Sequence, residues 1–437
     1  MHHDKNAETF AAWVGIDWAD AEHAVCLAVA DGTTPDGRIE LSTLTQTPTA
    51  INDWATELRD RFGGRPIAVC VEQTRGALIY ALMKYPWLVL FPINPKQLAY
   101  YREAIAPSGA KSDPGDATLL CEFVQERRAN LRAWRPDDET TRAIRALAEA
   151  RRKAVAWRTA LGNQLRQELK ECFPQALEVC GAQVHGVTFL KLLTKCPTLA
   201  DLKRVSSRTL ARLLPRRRAS VDGGDQEASL VDPRIDELRK SPALVTDAAL
   251  LLASKLAVKT LVGQLAPLNR AIAEYDRELD ALMAKHPDAP LFRAIPGAGS
   301  VMAPRLLAAF GNDRQRYPTA SNLQQASGIA PVTIKSGKSC LVRRRRACTK
   351  FLHQTFHEFA DHSRRASAWA LAYYRMLRAR GLRHHAALRA LAFKWIRILY
   401  RCWKDRTPYD EARLMERLRK TCSPMLKYLT TESPQTG

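Results

Sequence analysis

Four acids and one serine carry the chemistry that this chain of 437 residues offers. Asp17 closes the apolar run Val14-Gly15-Ile16, and Glu72 closes Pro66 to Val71 in the same way. Asp113 and Asp116 open the stretch Asp113-Pro114-Gly115-Asp116-Ala117. An ionised carboxylate at the tip of a buried strand costs several kcal/mol unless something pairs it, and a divalent cation is a natural partner. The competing reading of Asp17 is a strand-end acid facing water; that of Asp113 is a helix N-cap, since Pro114 follows it as at a first helical position. Asp116 lies three residues on, so the two aspartates can share one side of a first helical turn. Together the four are the ligand set of a two-metal phosphodiester site, in which two Mg2+ ions about 4 Å apart activate the attacking oxygen and stabilise the leaving one. Mn2+ is the natural substitute. The serine is Ser336, beside a flexible Gly337 and between Lys335 and Lys338, where a phosphate is neutralised and a developing alkoxide is favoured. Serine is common in loops, so this spacing alone leaves its role open.

The elements that must position these groups follow from periodicity. Val14 to Asp17 and Ala24 to Ala30 read as two strands around a tight turn, Arg38 to Thr45 as a third, and Pro66 to Glu72 and Trp87 to Ile93 as buried strands. Helices are expected after Thr47-Pro48, from Ala77 to Lys84, from Pro95 to Ala104 and from Asp113 to about Arg127. Three strands followed by alternating helices and strands predict a mixed sheet covered by helices, and strand-end Asp17 and Glu72 become neighbours if the first and fourth strands pair.

Charge divides the chain. The net charge is +22, yet up to Arg135 there are 14 Lys and Arg against 17 Asp and Glu, leaving +25 for the rest. The first third suits a site holding acids, and the remainder suits a surface holding a polyanion, most often nucleic acid. The length predicts two or three domains: 1–135 with the acids, 136–290 with long helices and a basic insertion, and 291–437 with the serine. The ten cysteines include no C-x-x-C pair, which argues against a zinc ribbon or a disulfide scaffold and for reduced thiols. The N-terminus is polar through Thr9 and no apolar run is expected to span a membrane, so a cytoplasmic, membrane-free location is expected.

Within the basic two thirds, Asp137 to Cys172 and Leu256 to Lys285 carry apolar stripes that predict two long amphipathic helices paired as an antiparallel coiled coil, inside the chain or with another subunit. Between them, Arg216, Arg217 and Arg218 lie in a stretch suited to ordering on nucleic acid; a solvated basic loop is the plainer reading. Ile295-Pro296-Gly297-Ala298-Gly299 enters a helix in the manner of helix-hairpin-helix DNA-binding units, where Gly297 and Gly299 expose backbone amides to a phosphate. Arg343, Arg344, Arg345 and Arg346 follow the Ser336 segment, read as a loop from Pro331 to Ser339. His353 and His357 stand at i and i+4 with His362 nearby, but without the H-E-x-x-H order they read as surface or phosphate-proximal histidines rather than metal ligands. The tail from Lys350 to Trp403 is expected to be helical.

Taken together, the four acids, IPGAGSVMAPRLLAAFG and SGIAPVTIKSGKS resemble the DEDD transposases of bacterial insertion sequences, relatives of the Piv-type DNA invertases. The resemblance runs over nearly the whole chain, including LRALAFKWIRILYRCWKDRTPYDEA. It implies a RuvC-like (RNase H-like) N-terminal domain, a coiled-coil segment and a mainly helical C-terminal domain with a nucleophilic serine. It also implies double-stranded DNA as substrate, a noncoding bridge RNA as guide, and a homo-oligomer that assembles from dimers to a tetramer. Asp17, Glu72, Asp113 and Asp116 would hold Mg2+, and Ser336 would form a covalent phosphoserine link. Where the family has Ser-Gly-Gly-Lys this chain has Ser-Gly-Lys-Ser, so Ser339 is a second candidate nucleophile and Ser327 a third. A hydrolytic DEDD nuclease or Holliday-junction resolvase, in which water attacks, is the alternative function.

Overall fold

The computed structural model describes residues 10–30, 39–72, 76–105, 112–180, 183–213, 233–337 and 339–429. Two compact units divide the chain, Met1–Pro136 and Asp137–Gly437.

The first unit is a five-stranded mixed sheet between two helical layers. Its strands are β1 (Ala12–Asp17), β2 (Glu22–Val29), β3 (Ile39–Thr45), β4 (Ile67–Val71) and β5 (Leu88–Pro92), and its helices α1 (Pro48–Arg61), α2 (Ala77–Leu82), α3 (Pro95–Ile105) and α4 (Asp113–Arg127). The order across the sheet is β3-β2-β1-β4-β5. β2 is antiparallel to β1 and β3, whereas β4 runs parallel to β1 and β5 parallel to β4. Strand β4, between β1 and β5, is apolar throughout and wholly buried, as expected of a strand covered on both faces. One face packs Val14, Ile16, Ile67, Val69 and Val71 against Ile51, Ala55 and Leu58 of α1 and Leu78, Ile79 and Leu82 of α2. The other buries Ala68 and Cys70 against Leu98 of α3 and Leu120 and Val124 of α4.

The contact between α4 and β1 depends on Gly15. A Cβ built there would lie 2.1 Å from the Ala117 carbonyl oxygen and 2.4 Å from the Cys121 nitrogen, so only glycine lets the helix backbone approach this closely. The Cys121 thiol donates to the Trp13 carbonyl at 3.3 Å. With Ala117 over Gly15 and Cys121 beside Trp13, α4 descends β1 in reverse, which brings its N-terminus to the carboxyl end of β1. Among the described residues the cysteines are free, and burial pushes the Cys70 thiol up to about 12.

The second unit is almost entirely helical. α5 (Glu139–Cys172) is followed by the short helices α6 (Gln175–Cys180), α7 (Val187–Lys195), α8 (Leu199–Arg204), α9 (Ser207–Leu213) and α10 (Pro233–Lys240), and then by α11 (Ala248–Lys285). α5 and α11 pair antiparallel within the chain. Arg151 pairs with Asp276, with Nη2 to Oδ2 at 3.2 Å, and the Thr141 hydroxyl meets His286 Nε2 at 2.9 Å near one end. α11 begins eight residues earlier than its apolar stripe predicts, and by length and composition it could cross a membrane, with a mean hydropathy of 1.4 over its most apolar window. That corrects the expectation that no run is long enough; here Val258, Val262 and Leu265 pack instead with Leu165 and Leu169 of α5.

The remaining helices are α12 (Ala289–Arg293), α13 (Gly299–Phe310), α14 (Ala320–Ala326), α15 (Lys350–Ala366), α16 (Ala368–Ala379), α17 (His384–Asp405) and α18 (Glu411–Lys420). They enclose a core that includes Phe292, Phe310, Phe356, Phe359, Trp369, Trp395 and Trp403. Projecting from it is a two-stranded hairpin of β6 (Val332–Ser336) and β7 (Ser339–Arg343), where the sequence reading placed a loop.

Candidate active site and nucleic-acid surface

In the first unit, the last paired rung between β1 and β4 is Ile16 with Val71. Asp17 and Glu72 are the next residues, so they stand side by side at the carboxyl ends of neighbouring parallel strands. Side chains alternate along a strand. Gly15 and Cys70 face the α4 layer, so Asp17 and Glu72, two residues further on, face it too. Above them comes the first turn of α4. Here Ser112, not Asp113, is the N-cap, its Oγ accepting from the Gly115 amide at 3.3 Å. Asp113 is the first helical residue and is exposed, free of the capping role that sequence suggested. Asp116 is 1% exposed and is held by Arg102 of α3, whose Nη2 and Nε donate to Oδ1 at 2.6 and 2.9 Å. Sequence reasoning missed Arg102 altogether; its only signal was a basic residue in the helix that precedes the acid pair.

This arrangement fits hard divalent cations in donor chemistry, since all four groups are carboxylates supplied by rigid elements. It is not an assembled cage. Among the described residues no group of three or more His, Cys, Asp or Glu side chains lies close enough to hold a metal ion. The strand pair is in place, Asp113 is exposed, and Asp116 is engaged by a guanidinium that a cation would have to displace.

In the second unit, Ser336 is exposed at the end of β6, paired with Ser339 of β7 at the rung nearest the hairpin tip. Gly337 has φ 53°, the left-handed conformation that such tips demand. Lys335 and Ser339 are exposed as well, while Lys338, Arg216, Arg217 and Arg218 lie outside the described residues. Ser327 is fully buried with its hydroxyl donating to the Gln324 carbonyl at 3.1 Å, which removes it as a nucleophile. The four arginines do not share one face: Arg343, Arg344 and Arg346 are exposed and Arg345 is half-buried. Gly297 has φ 78°, and a Cβ there would lie 2.9 Å from the Ser363 Cα, so close approach to α15 already explains this glycine. Gly299, with φ 51°, opens α13 with nothing within 4 Å of such a Cβ and is the more accessible of the two.

The two regions correspond to two known families. Residues 14–174, which include all four acids, match the DEDD transposase domain of IS110 type, described as a transposase. Residues 289–375, which include the α12–α13 turn and the Ser336 hairpin, match the transposase IS116/IS110/IS902 family. The chain is also 31% identical, over 93% of its length and 97% of the relative, to the "Mini-circle putative transposase for IS117" of Streptomyces coelicolor. The chain belongs to the IS116/IS110/IS902 transposase family. It is further similar to the uncharacterized 44.8 kDa protein of insertion element IS116 of Streptomyces clavuligerus, at 26% identity over 92% of this chain and 96% of that one. The uncharacterized 43.6 kDa protein of insertion element IS110 of Streptomyces coelicolor is 26% identical over 70% of this chain and 73% of its own. As a transposase of this family the chain acts on DNA, and a DEDD domain implies dependence on a divalent metal.

Proposed function

We propose that the chain is an insertion-sequence recombinase in which the acids of the first unit and Ser336 of the second both act on DNA. The observation that carries this reading is the pair Asp17 and Glu72, side by side on parallel strands and facing the N-terminal turn that bears Asp113 and Asp116. The fold reading that goes with it is RuvC-like (RNase H-like) for 1–135, coiled-coil for 136–290, and a transposase domain with a helix-hairpin-helix-like α12–α13 turn for 291–437.

Asp17, Glu72, Asp113 and Asp116 would hold one or two Mg2+ ions, which when bound withdraw charge from the phosphate and ease loss of its leaving oxygen. The chain's own residues do the rest. Ser336 presents Oγ at the tip of a narrow hairpin, able to enter a groove between strands. Lys335 beside it lowers the cost of the developing alkoxide. As Oγ attacks, its proton passes to solvent or a nearby base, the Oγ–P bond forms, one P–O ester bond breaks, and a deoxyribose hydroxyl leaves. The protein is then joined to the strand as a phosphoserine, and reversal on another strand end completes the transfer. The positive charge beyond Arg135 supports a nucleic-acid partner larger than one DNA site. We take this to be a noncoding bridge RNA that pairs with the DNA, read by a dimer that assembles to a tetramer.

The test is a cleavage assay on the ends of the cognate element with Mg2+. Ser336→Ala is expected to abolish the covalent protein–DNA adduct, and Asp17→Asn with Glu72→Gln to abolish cleavage. Free ends without an adduct in the unaltered protein would mean that water attacks, as in a hydrolytic nuclease or junction resolvase. Adducts in Ser336→Ala that disappear in Ser339→Ala would move the nucleophile to Ser339. Sequencing the RNA that copurifies tests the guide: absence of a structured RNA complementary to flanking DNA removes that part.

A further inference from the structure

One cluster in the second unit serves neither the acids nor the serine directly. His353 and His357 lie on α15 with ring centroids 6.1 Å apart; His357 is 5.3 Å from His385, the second residue of α17, and His385 is 4.9 Å from His384, the first. Arg344, just past β7, donates from Nη2 to His353 Nε2 at 3.0 Å, and His353 Nδ1 donates to the Ser327 carbonyl at 3.1 Å. His353 is thereby neutral, with its proton on Nδ1. Burial is the main cause that depresses His353, His357 and Arg389; Arg344 and then Arg389 add to it at His353, the neighbouring histidines and then Arg389 at His357, and Arg344 at Arg389. Opposing charge is scarce. Glu358 is paired with Arg305, and Asp361 is shared by Arg364 and Arg365. His384 turns aside to the Tyr374 hydroxyl at 2.8 Å. Groups that repel one another on a partly open face are a cost to folding, and a bound anion relieves it.

We propose that this face is a protonation-gated clamp for a DNA backbone phosphate, made by His353, His357 and His385 with Arg344 and Arg389. A phosphate arriving there favours imidazolium. When His353 takes a proton from solvent on Nε2, that nitrogen no longer accepts from Arg344, and both the imidazolium and the freed guanidinium can turn to the phosphate oxygens. A metal suits the cluster less well, because both ring nitrogens of His353 are already engaged. The clamp sits at the base of the β6–β7 hairpin. Ser336 is four residue steps away at its tip, ~13 Å in extended chain. Measured along the duplex axis, that is about four base-pair steps. Its placement relative to the cut rests on the proposed role of Ser336; the clamp itself does not.

The experiment measures binding of the full chain to a labelled DNA duplex of arbitrary sequence, in chelator, at constant ionic strength, from about pH 8 to about pH 6. The unaltered protein is expected to tighten roughly tenfold on acidification, and the triple variant His353→Gln, His357→Gln, His385→Gln to tighten less than about twofold. Arg344→Gln, which changes an exposed side chain, is expected to weaken binding across the range. Equal pH responses in the unaltered protein and the triple variant would overturn the clamp, as would a flat response in both or a response seen only with duplex RNA. Circular dichroism melts of each variant exclude misfolding as the cause. In the unaltered protein, a flat pH response with Ser336 adducts formed overturns the clamp alone; a pH response with no adducts overturns the reading of Ser336 alone.

Discussion

Arg102 sets two nitrogens on one carboxylate oxygen of Asp116, at 2.6 and 2.9 Å, in a position where the acid is almost fully buried. The guanidinium and a divalent cation compete for the same carboxylate. Arg102→Gln removes both of these charge-assisted bonds from a buried carboxylate and is expected to cost about 3 kcal/mol without metal. Mg2+ or Mn2+ should then restore more melting temperature than it adds to the unaltered protein. Melts with and without metal check this, and equal metal responses in the two proteins would remove Arg102 as a competitor.

Gly15→Ala puts a methyl 2.1 Å from the Ala117 carbonyl oxygen, a backbone atom that cannot swing away. Either α4 lifts from β1 or the sheet bends, and a loss of about 3 kcal/mol is expected in denaturant unfolding. The same displacement carries Asp113 and Asp116 away from Asp17, so cleavage should fall further than stability does at temperatures where the variant is still folded.

Burial, with help from His353, His385 and Arg389, pushes His357 down to about 4. An unfolded histidine titrates near 6.5, so between those values the unfolded chain binds the extra proton. The group therefore contributes no loss above about pH 6.5, and destabilises the fold increasingly as pH falls toward 4. His357→Gln is expected to lose less melting temperature between about pH 7 and pH 4.5 than the unaltered protein. A steeper loss in the variant would contradict the assignment.

The Arg151–Asp276 ion pair joins α5 to α11 with Asp276 well exposed, so its net worth is small. A double-mutant cycle with Arg151→Ala and Asp276→Ala should return a coupling of about 0.5–1 kcal/mol. Apolar contacts carry the pairing instead: Leu165→Ala, at a wholly buried position facing α11, is expected to cost about 3 kcal/mol in the same assay.

Much of the first unit was legible because its strands carry their own signals. Apolar runs ending in an acid mark β1 and β4, Pro48 and Gly63 bound α1, and Pro95 opens α3. The capping of α4 was not, because Ser112 and Asp113 are both good N-caps and only backbone geometry chooses between them. The β6–β7 hairpin reads as a loop in sequence because charge hides its alternation. Val332-Thr333-Ile334 and Cys340-Leu341-Val342 flank a glycine-bearing tip, which is a hairpin pattern, but its side chains are nearly all exposed and leave no buried face to read.

What the sequence by itself determined is which groups are available: four carboxylates at element ends, a serine among lysines, and an excess of positive charge outside the first third. Those depend on residue type and local spacing, which a chain carries without folding. Only tertiary structure decided their partners. Parallel pairing of β1 with β4 put Asp17 beside Glu72, Gly15 let α4 bring its aspartates to that edge, Arg102 took hold of Asp116, and burial silenced Ser327. Each of these joins residues distant in the chain or depends on what packs around them, and such contacts are set by the packing of whole faces rather than by any local pattern.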